Sequence, residues 1–78
     1  MENQIIDALR KIDLKLPVEL DKDIDLKQFG LDSLNIITLA LELEERYNIQ
    51  FPDNVININN FSSIREIERV IVNIIEFK

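Results

Sequence analysis

The sequence between residues 30 and 34 reads Gly30-Leu31-Asp32-Ser33-Leu34, and it contains the single glycine of the chain. Asp32 is a favourable N-cap residue, and apolar residues at helical spacing follow it, so this stretch predicts a loop that passes into a helix. The start of a helix exposes backbone N–H groups, which together with the helix dipole favour an anion such as phosphate. We therefore expect Ser33 to present an exposed hydroxyl at a place where an attached anion is stabilised.

Ser33 lacks the partners that activate a serine in hydrolases. The chain has no histidine and no cysteine, and the sequence around Ser33 is not a Gly-x-Ser-x-Gly motif. Lys27 could act as a base only if it were buried, and the segment around it is polar. The pattern predicts a serine that another enzyme modifies, in a chain that is not itself an enzyme.

Composition narrows the classes of function further. A length of 78 residues predicts a single domain over 1–78. The absence of cysteine and histidine disfavours disulfides and zinc or haem sites, so we expect no metal site. A net charge of −6 disfavours nucleic acid as a partner, and it fits equally a protein partner with basic patches or a charge that only keeps a small protein soluble.

The chain also lacks sequence signals for a membrane or for secretion. Its apolar runs are only a few residues long, so we expect no membrane span. The start, Met1-Glu2-Asn3-Gln4, is acidic and polar, whereas a signal peptide begins basic and continues apolar. Together with the absence of cysteine, these features predict a cytoplasmic location.

Apolar residues at helical spacing predict three main helices. The first runs from Asn3 to about Leu14, and the second runs from the Asp32 cap to about Tyr47 or Asn48. The third follows the capping box Ser63-Ile64-Arg65-Glu66, with Phe61 as a possible hydrophobic staple.

Two segments between these helices are irregular. Residues 15–31 alternate charged and apolar side chains, which predicts a long loop held to the core by its apolar residues. After Phe51-Pro52-Asp53, residues 54–60 fit either a strand or a short irregular helix, because apolar residues alternate with asparagines there.

The second helix carries two apolar strips. Leu39, Leu43 and Tyr47 form the strip that we expect to face the core. Leu34, Ile37 and Leu41 form the other strip, which flanks Thr38 and Glu45. Periodicity alone favours burial of both strips in so small a helical domain, while the alternative is that the second strip contacts a partner.

The acidic segment Asp21-Lys22-Asp23-Ile24-Asp25 begins like a calcium-binding EF-hand loop. Such a loop requires glycine at its sixth position and a bidentate glutamate at its twelfth, where this chain has Leu26 and Asp32. A solvated acidic loop is therefore the favoured interpretation. The alternative function is a non-enzymatic, protein-binding helical module with an EF-hand-like calcium loop at Asp21–Asp32.

The stretch Gly30-Leu31-Asp32-Ser33-Leu34, preceded by Phe29, resembles the attachment motif of acyl carrier proteins. The resemblance continues through Leu43–Asp53, which is similar to the acidic helix end and the Pro-Asp turn of that family. It implies an all-α, four-helix bundle with three main helices and one short helix.

The resemblance also implies a function. In that family a phosphopantetheinyl transferase moves 4′-phosphopantetheine from coenzyme A to the motif serine, here Ser33, and Asp32 helps to position the site. The thiol of this arm carries acyl or aminoacyl groups as thioesters. The expected partners are that transferase and acyl ligases or synthases with basic docking patches. A monomer suits a carrier that docks with several enzymes in turn, and the implied docking residues are Leu34, Ile37, Thr38, Leu41 and Glu45.

Two positions depart from the fatty-acid type of carrier. Such carriers commonly have acidic residues soon after the leucine of the motif, where this chain has Asn35 and Thr38. Fewer charges near Ser33 weaken attraction to basic synthase surfaces. We therefore expect a dedicated carrier of a specialised lipid, polyketide, peptide or cell-envelope pathway rather than the general carrier of fatty acid biosynthesis.

Overall fold

The structure, a computed structural model, describes residues 2–12 and 14–76. This part of the chain contains no strand, and it forms three α-helices: α1 (Glu2–Lys11), α2 (Asn35–Tyr47) and α3 (Ile64–Glu76). Two short 3-10 helices, Leu26–Phe29 and Asp53–Val55, lie in the connections. The predicted all-α class is confirmed. None of the helices in the described ranges is long and apolar enough to cross a membrane.

The predicted count of four helices needs a correction. In place of a fourth α-helix, the described chain has the single 3-10 turn Asp53–Val55, followed by turns up to Phe61. Asparagine side chains replace helical hydrogen bonds here: Asn57 Oδ1 accepts from the Asn60 N–H at 3.0 Å, and Asn60 Nδ2 donates to the Val55 carbonyl at 3.0 Å. Asparagine competes with backbone hydrogen bonds in this way, and it therefore favours turns over helix.

Helix α1 ends at Lys11, earlier than the predicted end near Leu14. Ile12 continues the apolar spacing and is buried, but it lies beyond the helix. Apolar spacing thus identified buried residues correctly and overestimated the length of the helix. Arg10 then secures the next segment, because its guanidinium donates to the carbonyl of Val18 at 3.0 Å.

The core is built from one side of each α-helix. Its fully buried large side chains are aliphatic apart from Phe61, which meets Phe51 edge to face with ring centroids 5.5 Å apart. The helical members of the core are Ile5, Ala8, Leu9, Ile36, Leu39, Ala40, Leu43, Ile64, Ile67, Val70 and Ile71. Burial of each isoleucine, leucine or valine in this set stabilises the folded state by about 1.5–3 kcal/mol.

The long loop between α1 and α2 is held to this core as predicted. Leu14, Leu16, Leu20 and Ile24 pack against it. Backbone bonds join the loop to the start of α3: the Leu26 N–H donates to the Ser62 carbonyl at 2.8 Å, and the Arg65 N–H donates to the Lys22 carbonyl at 3.0 Å. These bonds fix the end of the loop, and therefore the point at which α2 begins.

Candidate functional site

The loop enters the site through a glycine turn. Gly30 ends the first 3-10 helix with φ 105°, a left-handed conformation that glycine adopts without the strain of a Cβ atom. Its N–H donates to the carbonyls of that 3-10 helix, and the N–H of the buried Leu31 donates to the Leu26 carbonyl at 3.2 Å. The single glycine of the chain thus stands where the backbone needs one.

Asp32 caps α2. Its Oδ1 accepts from the backbone N–H groups of Leu34, at 3.0 Å, and Asn35, at 2.9 Å, and its carbonyl accepts from the Ile36 N–H at 3.1 Å. Leu34, the residue just before Asn35, already has helical angles and makes no capping bond with its side chain. The predicted N-cap at Asp32 is therefore confirmed by its hydrogen bonds.

Ser33 lies in the turn between this cap and α2. It is exposed, and its hydroxyl forms no hydrogen bond with another residue of the described chain. The position suits an attached phosphate, because the positive end of the α2 dipole lies beside it. The residues present thus fit a phosphodiester on Ser33 Oγ.

Asn35 is the residue of the site that sequence reasoning missed. Its Oδ1 accepts from the Asp32 N–H at 2.7 Å, and its Nδ2 donates to the Gly30 carbonyl at 2.8 Å. With the bond from its own N–H to Asp32, this is a reciprocal cap of the capping-box type. The sequence analysis treated Asn35 only as an absent acid, although its place three residues after the cap was a signal for this role.

The two apolar strips of α2 have different surroundings. Leu39 and Leu43 are buried, as expected, and Tyr47 is half-buried. On the other strip Leu34 is 79% exposed, Ile37 52% and Leu41 61%. The preference for burial of both strips, drawn from periodicity, is therefore wrong, because α1 covers only one side of α2.

The acidic residues of α2 also separate into two kinds. Glu42 pairs with Arg46 at 2.9 Å and with Lys11 at 3.4 Å, and the hydrogen bond from Arg46 lowers the pKa of the Glu42 carboxyl. Glu44 Oε2 accepts from the Phe51 N–H at 2.7 Å. Glu45 is exposed and forms no ion pair within the described part of the chain.

An open groove continues the exposed strip at its far end. Leu41 lines it together with Phe51, Pro52 and Ile56. Thr38 and Glu45 are exposed on the same helix. Of the five residues predicted for docking, Leu34 directly precedes α2 and the other four lie on it, and all five are exposed.

The residues of the EF-hand-like segment are not brought together. Asp21 Oδ1 accepts from the Asp23 N–H at 2.9 Å, Asp23 pairs with Arg65, and Asp25 accepts from the Lys27 N–H at 3.1 Å. Asp32 caps α2. In residues 2–12 and 14–76 no group of three or more acidic, histidine or cysteine side chains is arranged to hold a metal ion.

The sequence around Ser33 and most of the chain are similar to those of known proteins. A family model described as the phosphopantetheine attachment site matches residues 3–71. An aminoacyl carrier protein from Agrobacterium fabrum is 37% identical over 67 residues, which are 82% of this chain and 81% of that protein.

Solved structures share the fold along nearly the whole chain. A chain in the crystal structure of an engineered Bradyrhizobium japonicum glycine:[carrier protein] ligase, complexed with carrier protein from Agrobacterium tumefaciens and AMP, matches with a TM-score of 0.83 and 36% identity. The match covers 92% of this chain and 99% of that chain. The corresponding complex with ATP gives a TM-score of 0.84 at 36% identity, over 94% of this chain and 97% of the other. The chain therefore belongs to the acyl carrier protein family, whose members hold a phosphopantetheine group and are carriers rather than enzymes.

Proposed function

We propose that Ser33 is the attachment point of 4′-phosphopantetheine and that the chain carries aminoacyl groups as thioesters on it. The observation that carries this proposal is the exposed Ser33 hydroxyl at the capped start of α2, within the residues that match the phosphopantetheine attachment family. The other two serines are both half-buried and engaged in turns: Ser62 donates to the Asn59 carbonyl, and Ser63 accepts from the Glu66 N–H.

The chain's own residues have limited roles in this function. Asp32 and Gly30 hold the turn that presents Ser33. A phosphopantetheinyl transferase must supply the base that removes the proton from Ser33 Oγ, because the chain has neither histidine nor cysteine. When bound, the arm supplies the thiol that forms the thioester.

Two observations favour an aminoacyl cargo over a fatty acyl cargo. The relatives include an aminoacyl carrier protein and a chain from a complex with a glycine:[carrier protein] ligase. The first turn of α2 contains no acidic residue, since positions 35 and 38 are Asn35 and Thr38. A weakly charged start of α2 fits a dedicated ligase better than basic fatty-acid synthase surfaces. Fatty acyl, polyketide and peptide pathways are the alternatives, and the experiment below distinguishes an aminoacyl cargo from a fatty acyl cargo.

The docking surface of the proposed carrier is the exposed side of α2. Leu34, Ile37 and Leu41 offer an apolar strip, and Thr38 and Glu45 border it. A partner that fits has an apolar patch opposite the strip and a basic group opposite Glu45. We further propose that the chain works as a monomeric, single-domain carrier over 1–78 in the cytoplasm, where it meets both the transferase and the ligase.

The test has two stages, both read by intact mass. The chain is first incubated with coenzyme A and a broad-specificity phosphopantetheinyl transferase, with Ser33→Ala as the control. A gain of one phosphopantetheine that Ser33→Ala abolishes is expected, and no gain by the wild-type chain overturns the proposal.

The modified chain is then offered separately to an aminoacyl:carrier ligase with ATP and amino acids, and to an acyl ligase with ATP and fatty acids. Loading with an amino acid is expected. Efficient loading with fatty acid alone overturns the aminoacyl cargo and leaves the carrier function in place.

A further inference from the structure

We infer that Asn35 is a positioning residue for the modification of Ser33, and that this position requires an amide. The inference rests on the proposed attachment of phosphopantetheine to Ser33. Asn35 does not itself react; it holds in place the backbone turn that contains Ser33.

The Asn35 side chain joins the two ends of the turn that leads to Ser33. Its Nδ2 holds the Gly30 carbonyl at 2.8 Å, and its Oδ1 holds the Asp32 N–H at 2.7 Å. Its own N–H is held by Asp32 Oδ1 at 2.9 Å. Ser33 lies between Asp32 and Asn35, so one side chain restrains the backbone before and after the hydroxyl.

The hydrogen-bond partners determine which side chain can do this. The Asp32 N–H requires an acceptor, and the Gly30 carbonyl requires a donor. Asparagine provides both on one short side chain. Aspartate would keep the acceptor but would place a second carboxylate oxygen against the Gly30 carbonyl, where two acceptors repel each other. Alanine would lose both bonds.

This requirement accounts for the absence of an acid at position 35. The turn at Gly30 has a left-handed backbone, and the amide ties that turn to the start of α2. A carboxylate that could attract a basic partner would release the turn. An uncharged side chain at position 35 is therefore a consequence of how this chain holds Ser33.

Restraint of the turn affects the transfer step more than docking. Ile37 and Leu41 lie within α2, beyond the turn, so most of the docking strip does not depend on the amide bond to Gly30. A looser turn places Ser33 Oγ in the reactive geometry for a smaller fraction of the time. A change of this kind lowers kcat and leaves KM nearly unchanged.

The experiment measures transfer of phosphopantetheine to Asn35→Asp and Asn35→Ala at a series of carrier concentrations. Loss of a hydrogen bond of ordinary strength predicts a kcat about tenfold lower in both variants, with KM within about twofold of wild type. Asn73→Asp is the matched control, because it makes the same substitution on the exposed surface of α3, away from the turn and from the docking strip. It is expected to leave kcat unchanged.

A second pair of variants disturbs the same turn from its other end. Gly30→Ala strains the left-handed residue and is expected to lower kcat in the same way, whereas Gly30→Asn, which is also strained at φ 105° but is the side chain that best tolerates positive φ, is expected to lower it by a smaller factor. Circular dichroism at the assay temperature checks that each variant is folded. Should the Asn35 variants be unfolded, the Gly30 pair decides the question.

Amide hydrogen exchange of the unmodified chain gives a readout that does not involve transfer. Asn35→Ala is expected to speed exchange of the Asp32 N–H, which loses its acceptor, by about tenfold.

Wild-type kcat in the Asn35 variants overturns the inference, and so does a rise in KM at unchanged kcat, which would make Asn35 a contact residue. A wild-type chain that accepts no phosphopantetheine overturns the proposed function first. If wild type and the Asn35 variants accept phosphopantetheine at equal rates, the inference about Asn35 is wrong and the proposed attachment at Ser33 stands.

Discussion

Asp32, and not Ser33, caps the backbone N–H groups at the start of α2. Its carboxylate and carbonyl together accept three backbone N–H groups, those of Leu34, Asn35 and Ile36. A helix leaves such groups unpaired at its start, and in many helices a serine at the cap satisfies them. Because the preceding aspartate does so here, the hydroxyl of Ser33 stays free of the cap and is available for the proposed modification.

Asp32→Ala is expected to lower the free energy of unfolding by about 1 kcal/mol, the usual effect of losing an N-cap. It should also slow the modification of Ser33, since the turn that presents the hydroxyl is loosened. Urea denaturation followed by circular dichroism measures the stability, and intact mass measures the modification. Asp32→Asn is the matched control, because its amide oxygen can still accept both bonds. Equal stability of Asp32→Ala and wild type would contradict the role of the cap.

The residues of the site differ in how far the sequence reveals them. Asp32 and Ser33 are recognisable because capping depends on neighbours in the chain. The amide of Asn35 is not, because its bond to Gly30 depends on a left-handed turn that brings the two residues together. The spacing from Asp32 places the Asn35 side chain at the start of α2. Only the turn at Gly30 shows that this side chain must also donate a hydrogen bond, to the Gly30 carbonyl.

At the scale of elements, α2 has one covered side and one open side. Helix α1 packs against α2 and also against α3, and Leu39 and Leu43 are buried. The strip Leu34, Ile37 and Leu41 remains exposed. Neither strip differs from the other in composition enough to show which one is buried.

Leu41→Glu is expected to leave stability within about 0.5 kcal/mol of wild type, because Leu41 is exposed. If α2 is the docking surface, this variant raises the KM of the aminoacyl ligase for the modified chain by about tenfold, the effect of losing a central apolar contact. Val18→Glu is the control, since Val18 is 91% exposed but lies in the loop before α2. An equal effect of both variants would show that charge, and not the α2 strip, is responsible.

A second element-scale feature joins the loop to α3. Asp23 forms an ion pair with Arg65, whose Nη2 is 3.2 Å from Asp23 Oδ2, and Lys22 pairs with Glu68 at 3.1 Å. The hydrogen bond from Arg65 lowers the pKa of the Asp23 carboxyl below its ordinary value of 3.8. The ionised form of Asp23 is therefore favoured by folding.

This pair predicts a dependence of stability on pH. A carboxyl whose pKa is lower in the folded state stabilises the fold above its unfolded pKa, and it loses that contribution as the pH falls through the folded pKa. The difference in unfolding free energy between wild type and Asp23→Asn should be constant above about pH 5 and shrink below about pH 4. Chemical denaturation from pH 7 to pH 3 measures it. Glu19→Gln is the control for removal of an exposed charge, and a difference that grows toward low pH would contradict the role of the pair.

At the scale of the whole molecule, stability depends on a small aromatic and aliphatic core. Phe61 is fully buried, lies just before α3, and contacts Phe51 on the connection from α2. It joins the irregular segment between these helices to the three-helix core. A domain of this length has a total stability of roughly 4–12 kcal/mol, so one such side chain is a substantial part of it.

Phe61→Ala is expected to cost about 3–5 kcal/mol, enough to unfold a large fraction of the chain if its stability is at the lower end of that range. Thermal unfolding followed by circular dichroism measures the loss. Ile75→Ala is the control, because Ile75 is 46% exposed near the end of α3 and should change stability by about 1 kcal/mol or less. A loss no larger than that of the control would show that the connection folds independently of Phe61.

The all-α class, the caps at Asp32 and Ser63 and the exposed serine follow from the order of residues in the chain. They depend on helical spacing and on hydrogen bonds between residues three or four positions apart, and such features are contained in a short stretch of sequence. The tertiary structure was needed to show that the Leu34 strip is exposed, that Glu42 pairs with Lys11 of α1, and that the turn at Gly30 brings its carbonyl to the Asn35 amide. These features depend on which side of α2 is covered by α1 and on how the long loop returns to α2. Contacts of that kind join segments whose separation in space is set by the packing of the whole chain.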